Sequence, residues 1–345
     1  MHALLAATRA VHLGSVLLVL GELVFAVFVF GPVWRGGEGP FVPSRRDLER
    51  RIRSSAAWSL AVSVASGIAW LALEAPLMSG LPASEALGGD TVAVVLTQTS
   101  FGRTWMLRGF LALALGAALL SGARSSDDKS GSRSTIVAML LAAGYAATIA
   151  FAGHAAGGQG QERYLRIGVD MVHLLAAGAW LGALPGLAYA LNQAGRSSDV
   201  LSIDLAARAT RRFSSLGTVS VGALLLSGVA NAWYQVRELD ALFTTEYGRL
   251  LLAKLALFAA MLALAAVNRW GLSPRVVAAD RSALRSLARN ALLEAAIGIA
   301  VIAIVGVLGI TIPAMHPRHH DLHSGTSRAI IAGSFALDEH HGRTE

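Results

Sequence analysis

Eight stretches of mostly apolar residues punctuate the chain, at approximately 10–33, 56–74, 104–121, 135–153, 166–191, 213–234, 249–268 and 291–312. One helical crossing of a bilayer core about 30 Å thick takes roughly 20 such residues, so each stretch is long enough to span. The chain is 54% apolar and 15% charged, where a soluble domain carries about 25% charge. The expected fold is therefore an all-α polytopic membrane protein with eight transmembrane helices. The first stretch is expected to be retained, because it contains Glu22 and no small-x-small cleavage site precedes Pro32.

The loops alternate in charge, and that alternation sets the orientation. Arg35, Arg45, Arg46, Arg50, Arg51 and Arg53 follow the first span, and Arg124, Lys129 and Arg133 follow the third. Arg196, Arg208, Arg211 and Arg212 follow the fifth, and Arg269, Arg275, Arg281, Arg285 and Arg289 the seventh. These four loops hold 18 of the 29 basic residues, whereas the opposite loops carry Glu74, Glu85, Asp90, Glu162, Glu238, Asp240 and Glu246. By the positive-inside rule the arginine-rich loops are cytoplasmic and both termini periplasmic. The net charge of +7 then reports topology, and no nucleic-acid partner is expected.

The chain also repeats itself. Val11-His12-Leu13 with Leu20-Gly21 matches Val172-His173-Leu174 with Leu181-Gly182 at an offset of 161, and Ser66-Gly67-Ile68-Ala69 matches Ser227-Gly228-Val229-Ala230 at the same offset. Gly102-Arg103 with Arg108 matches Gly248-Arg249 with Lys254 at an offset of 146, which places a 15-residue insertion in the outer loop around 76–101. His154 and His316 close the fourth and eighth spans at an offset of 162. The expected organisation is two tandem four-helix units, 1–160 and 161–316, followed by a His-rich periplasmic tail, 317–345. An even number of spans per unit makes the repeat parallel, about an axis along the membrane normal.

Ionisable side chains within spans cost several kcal/mol unless paired or functional. His12 and His173 fall near the outer ends of the first and fifth spans, His154 and His316 near those of the fourth and eighth, with Arg108 and Lys254 one to two turns inward. Asp170, His173, Ala177 and Trp180 share one helical face, so Asp170 could orient the His173 imidazole or supply an oxygen ligand. The candidate metal ligands are His12, His154, His173, His316 and Asp170. Arg108, Lys254 and Asn231 are candidate supports. Glu22, about 15 Å below His12 at 1.5 Å per residue, is a candidate step in an inward path. Glu294, near the inner end of the eighth span, reads more simply as a protonated or paired carboxyl.

Cysteine is absent, which excludes disulfides, thiolate zinc sites, iron–sulfur clusters and a Cys-x-Cys copper relay. Soft or borderline metals must then use His, Met or carboxylate. The tail offers Met315, His316, His319, His320 and His323 as candidates for metal capture, since imidazoles bind copper(II) at the top of the divalent series. No GxxxxGK[ST] loop is present, and the longest expected cytoplasmic loop, about 23 residues, is too short for a soluble ATP-hydrolysing domain, so ATP-driven pumping by this chain alone is excluded.

Several stretches resemble the copper resistance protein D (CopD) family of bacterial inner-membrane proteins. They are Arg212-Phe213-Ser214-Ser215, Ser227-Gly228-Val229-Ala230-Asn231, Tyr247-Gly248-Arg249 through Lys254, and Val267-Asn268-Arg269. Gly153-His154, Asp170-x-x-His173 and Trp180-x-Gly182 add to the likeness, whose core covers about 150–312. The resemblance implies a multi-pass protein of the bacterial inner membrane that moves copper inward, with a separate periplasmic CopC-like partner. On that expectation copper is cargo, the outward histidines receive it, and the chain is not an enzyme. Two alternatives stand beside it: a haem b protein using bis-histidine ligation within four-helix units, and a membrane scaffold with no metal in its spans.

Overall fold

The computed structural model describes residues 2–35, 42–124, 128–151, 160–197, 200–235 and 240–311. Among the described residues, eight helices are long and apolar enough to cross a membrane: α1 (His2–Val33), α2 (Asp47–Leu77), α3 (Ser100–Gly122), α4 (Gly131–Phe151), α5 (Gly160–Arg196), α6 (Leu201–Trp233), α7 (Glu246–Val277) and α8 (Arg281–Leu308). His154, Met315, His316, His319, His320 and His323 lie outside the described residues.

The helices outrun the apolar stretches at the arginine-rich end. α6 has 33 residues, about 50 Å at 1.5 Å per residue, and starts well before the run beginning at 213. Arg208, Arg211 and Arg212, expected in a loop, lie in its opening turns. A hydropathy scan registers only the part of a helix that lipid surrounds. Arg, Ala and Leu, good helix formers, continue it past the apolar run, where packing of Ile203, Ala206, Ala207 and Ala209 holds it. The long connection between α2 and α3 likewise contains short helices, Ala83–Ala86 and Gly89–Gln98.

α1 and α5 form the inner pair. Some 67% of the most apolar window of α1 and 56% of that of α5 is buried within the protein, against 6% for α7, whose apolar surface is left to lipid. α1 packs on α2, α4, α5 and α8. One buried cluster joins α1 to α2, α3 and α4 through Val16, Leu20, Leu60, Leu115 and Tyr145. A second joins the other end of α1 to α5, α6 and α8 through Phe25, Phe30, Trp180, Leu187 and Leu284.

Lipid tails are as apolar as Leu, so helix pairing in membranes depends on close approach of small residues. α1 and α5 meet through such a contact. A Cβ on Gly21 would lie 2.2 Å from the carbonyl carbon of Gly182 and 2.4 Å from the carbonyl oxygen of Gly178, and a Cβ on Gly182 would lie 2.2 Å from the Leu17 carbonyl oxygen.

α8 is started by Asp280. Its Oδ1 accepts from the Ser282 and Ala283 amides at 2.8 and 3.3 Å, and Arg275 donates to Oδ2 at 2.8 Å. Hydrogen bonds from Ser282 and Arg275 hold this carboxyl below the usual carboxylate range. A depressed native pKa means the cap supports the helix above the ordinary Asp range and fades as pH falls below about 4. Asp280→Ala is therefore expected to speed amide exchange at residues 281–284 at neutral pH. The difference from wild type should shrink in acid.

Candidate functional site

Each half of the bundle holds one imidazole against a Ser-Gly pair. In the first half His12 of α1 is 1% exposed, and its Nδ1 sits 2.8 Å from the Ser63 carbonyl oxygen. A carbonyl only accepts, so in the neutral ring Nδ1 carries the proton and Nε2 the lone pair. Nε2 is buried and has no hydrogen-bond partner. In the second half His173 of α5 is half-buried, and its Nδ1 lies 3.0 Å from the Ser227 hydroxyl of α6. That hydroxyl already donates its one hydrogen to the Ala223 carbonyl at 2.5 Å, so it accepts from Nδ1. Both rings thus keep the same tautomer, with Nε2 free to act as a donor atom.

The glycine after each serine lets the ring approach its neighbouring helix. A Cβ on Gly67 would stand 3.2 Å from Cε1 of His12, and one on Gly228 would stand 3.7 Å from Cε1 of His173.

The surroundings of the two rings differ. Trp70, Trp105 and Tyr145 pack around His12 with ring centroids at 5.6, 6.0 and 6.3 Å. Arg108, 2% exposed, lies over the Trp105 ring at 4.6 Å and donates through Nε to Thr148 Oγ1 and through NH2 to the Thr148 carbonyl, both at 3.0 Å. An arginine so enclosed is not an interfacial anchor that snorkels to headgroups. Around His173 the neighbours are charged and amide groups instead. Asp170 accepts from Asn231 at 3.4 Å, and Lys254 lies within electrostatic range of both Asp170 and His173. Serine 227, rather than Asp170, bonds Nδ1 of His173, because the hydroxyl of α6 reaches the ring across the helix interface while Asp170 turns to Asn231 and Lys254.

The sequence-predicted residues therefore fall into two groups. His12 and Arg108 share one, and His173, Asp170, Asn231 and Lys254 share the other. Among the described residues no group of three or more His, Cys, Asp or Glu side chains is gathered to hold a metal ion. Glu22 stands apart, deeper along α1, 5% exposed, accepting a hydrogen bond from Ser55. Trp70, Trp105 and Tyr145 were not anticipated. Trp70 lies one turn from Ser66 and Trp105 one turn before Arg108, and that spacing was the available signal. A haem does not fit at His12, where indole rings close around a sealed Nε2.

A further cavity of about 330 Å³ lies toward the arginine-rich end of the second half, lined by Trp180, Phe213, Ser214, Asn268, Arg269 and Glu294. Arg269 ties α7 to α6, donating to Ser214 Oγ at 2.8 Å and Thr218 Oγ1 at 2.7 Å. Asn290 donates to Asn268 at 2.8 Å, and Asn268 donates to Glu294 at 2.5 Å, so Glu294 is paired with a neighbouring helix. The Phe213-Ser214 and Asn268-Arg269 pairs, far apart in sequence, meet here. A π-helical stretch, Val267–Leu272, puts Asn268 and Arg269 at its edge.

Set beside known proteins, residues 207–308 match the family described as copper resistance protein D, and residues 1–165 match the copper resistance protein D-like N-terminal domain. The chain is 32% identical over 304 residues to copper resistance protein D of Pseudomonas syringae pv. tomato, covering 85% of this chain and 93% of that protein. The chain belongs to the copper resistance protein D family. It is also 29% identical over 306 residues to the inner membrane protein YebZ of Escherichia coli (strain K12), covering 88% of this chain and 96% of that one. Copper transport protein CutJ of Bacillus subtilis (strain 168) is 29% identical over 306 residues, and the chain spans about half of it, 51%. No solved structure matches. Within the CopD family assignment, the N-terminal match contains the His12 cluster. The C-terminal match contains Ser227, Asn231, Lys254 and, from the cavity, Phe213, Ser214, Asn268, Arg269 and Glu294, while Asp170, His173 and Trp180 fall between the two.

Proposed function

We propose that this protein binds copper at its periplasmic face and carries it inward across the bacterial inner membrane. The observation that carries the reading is the shared tautomer of His12 and His173, each with Nδ1 committed to the neighbouring helix and Nε2 left as a metal donor. His173 is the more accessible ring and has a carboxylate, Asp170, beside it, so copper arrives there first. His154 and His316 complete the outer ligand set, and Met315, His319, His320 and His323 of the tail raise the local metal concentration. Glu22 lies along the inward path. Names of relatives, copper resistance protein D and copper transport protein CutJ, support copper as cargo.

The architecture we infer is two tandem four-helix units, 1–160 and 161–316, with both termini periplasmic and a separate CopC-like donor. Matched contacts support the repeat. The Gly102 amide donates to Thr99 Oγ1 at 2.9 Å and the Gly248 amide to Thr245 Oγ1 at 2.9 Å. The Gly21–Gly178 and Gly182–Leu17 approaches are each other's image at the 161-residue offset.

Copper uptake into proteoliposomes containing the purified full chain tests the reading. Time-dependent accumulation above that of empty liposomes is expected. Copper that stays bound outside overturns transport, and a Soret band in the purified protein overturns the copper reading in favour of haem.

A further inference from the structure

The two halves differ in charge where they match in shape. At the offset that lays His12 on His173, Asp170 falls on Arg9, so the second half has an acid where the first has a base. In the second half Asp170 has Lys254 within electrostatic range. In the first half Glu74 of α2 accepts from Trp70 Nε1 at 2.9 Å and lies within electrostatic range of Arg9, itself 4.6 Å over the Trp70 ring. Arg9 and Glu74 balance each other. Among the described residues, Arg108 has Thr148, Trp70, Trp105, His12 and Tyr145 around it, none of them anionic at neutral pH.

A buried guanidinium without a counter-charge is costly, and buried donors without acceptors add to the cost. Here one arm of the guanidinium, NH1, and the indole Nε1 of Trp105 are buried without hydrogen-bond partners. His12 borders the same cluster, its ring 6.0 Å from that of Trp105; its Nε2 carries a lone pair and takes no part in holding an anion. We propose that this cluster binds one small monovalent anion of halide size, held by Arg108 NH1 and Trp105 Nε1–H beside His12. Two free donors suit a single-atom anion. A phosphate or sulfate would bring more oxygens than the cluster has donors to meet. The anion neutralises Arg108, and so removes the repulsion that a bare guanidinium would exert on a cation arriving at His12.

The test is equilibrium dialysis of radiolabelled chloride against the metal-free, detergent-solubilised full chain in a gluconate buffer, a readout independent of copper. Saturable binding approaching one chloride per chain is expected, displaced by bromide and not by sulfate. Arg108→Gln should abolish it, whereas Arg50→Gln, at an exposed arginine outside both the cluster and the cavity, should leave it unchanged. Trp105→Phe keeps the stacked ring, loses only the N–H, and should weaken binding at least about 10-fold. Arg108→Lys, which keeps the charge but not the free arm, should also weaken it and serves if Arg108→Gln does not fold. No saturable binding by wild type, or equal affinity in Trp105→Phe and Arg108→Lys, overturns the proposal. Copper transport with no chloride site would sink this inference and leave the transport reading standing.

Discussion

His173→Ala and His12→Ala are each expected to lower the copper stoichiometry of the purified protein, with the larger loss at His173. The reason is the donor atom. Ser227 and the Ser63 carbonyl hold the proton on Nδ1 of the two rings, so Nε2 presents a lone pair without prior deprotonation. Groups that only orient a metal-ligating histidine are worth about 10–100-fold in affinity, and removal of the ligand itself should exceed that. Ser227→Ala separates the two contributions. It leaves the imidazole in place but frees its tautomer, so copper affinity should fall about 10–100-fold with stoichiometry at saturation retained. Metal analysis after dialysis, with a copper titration for each variant, reads both quantities. Unchanged stoichiometry in both alanine variants removes both histidines from the site.

Gly21→Ala is expected to destabilise the whole bundle. The added methyl would stand 2.2 Å from the Gly182 carbonyl carbon and 2.4 Å from the Gly178 carbonyl oxygen, both backbone atoms of α5. No side chain can rotate away, so the inner helices must separate along their contact. Overpacking a core costs about 1–3 kcal/mol when side chains can yield, and here the cost should reach or exceed the upper end. Gly182→Ala should do the same, its Cβ meeting the Leu17 carbonyl oxygen at 2.2 Å. Gly109→Ala, where a Cβ meets nothing within 4 Å, is the control and should melt with wild type. Thermal unfolding of the detergent-solubilised protein, followed by size-exclusion chromatography with fluorescence detection, measures all three. If Gly21→Ala melts with Gly109→Ala, the close approach of α1 and α5 is wrong.

The sequence by itself determined eight helices long and apolar enough to cross a membrane, because a helix surrounded by lipid must be a long apolar run and so stays visible. It also singled out His12, Arg108, Asp170, His173, Asn231 and Lys254, because an ionisable or amide group in such a run is conspicuous. It could not set the helix ends. Arg-, Ala- and Leu-rich turns beyond the bilayer carry no apolar signal, yet packing keeps them helical, as at Arg208–Arg212. Nor could it sort the polar residues into clusters. Only the tertiary structure decided that Asp170 turns to Asn231 and Lys254 while Ser227 takes His173. The same packing walls His12 and Arg108 with Trp70 and Trp105. Those partners come from different helices, and which faces meet depends on where small residues such as Gly21 and Gly182 allow two backbones to touch.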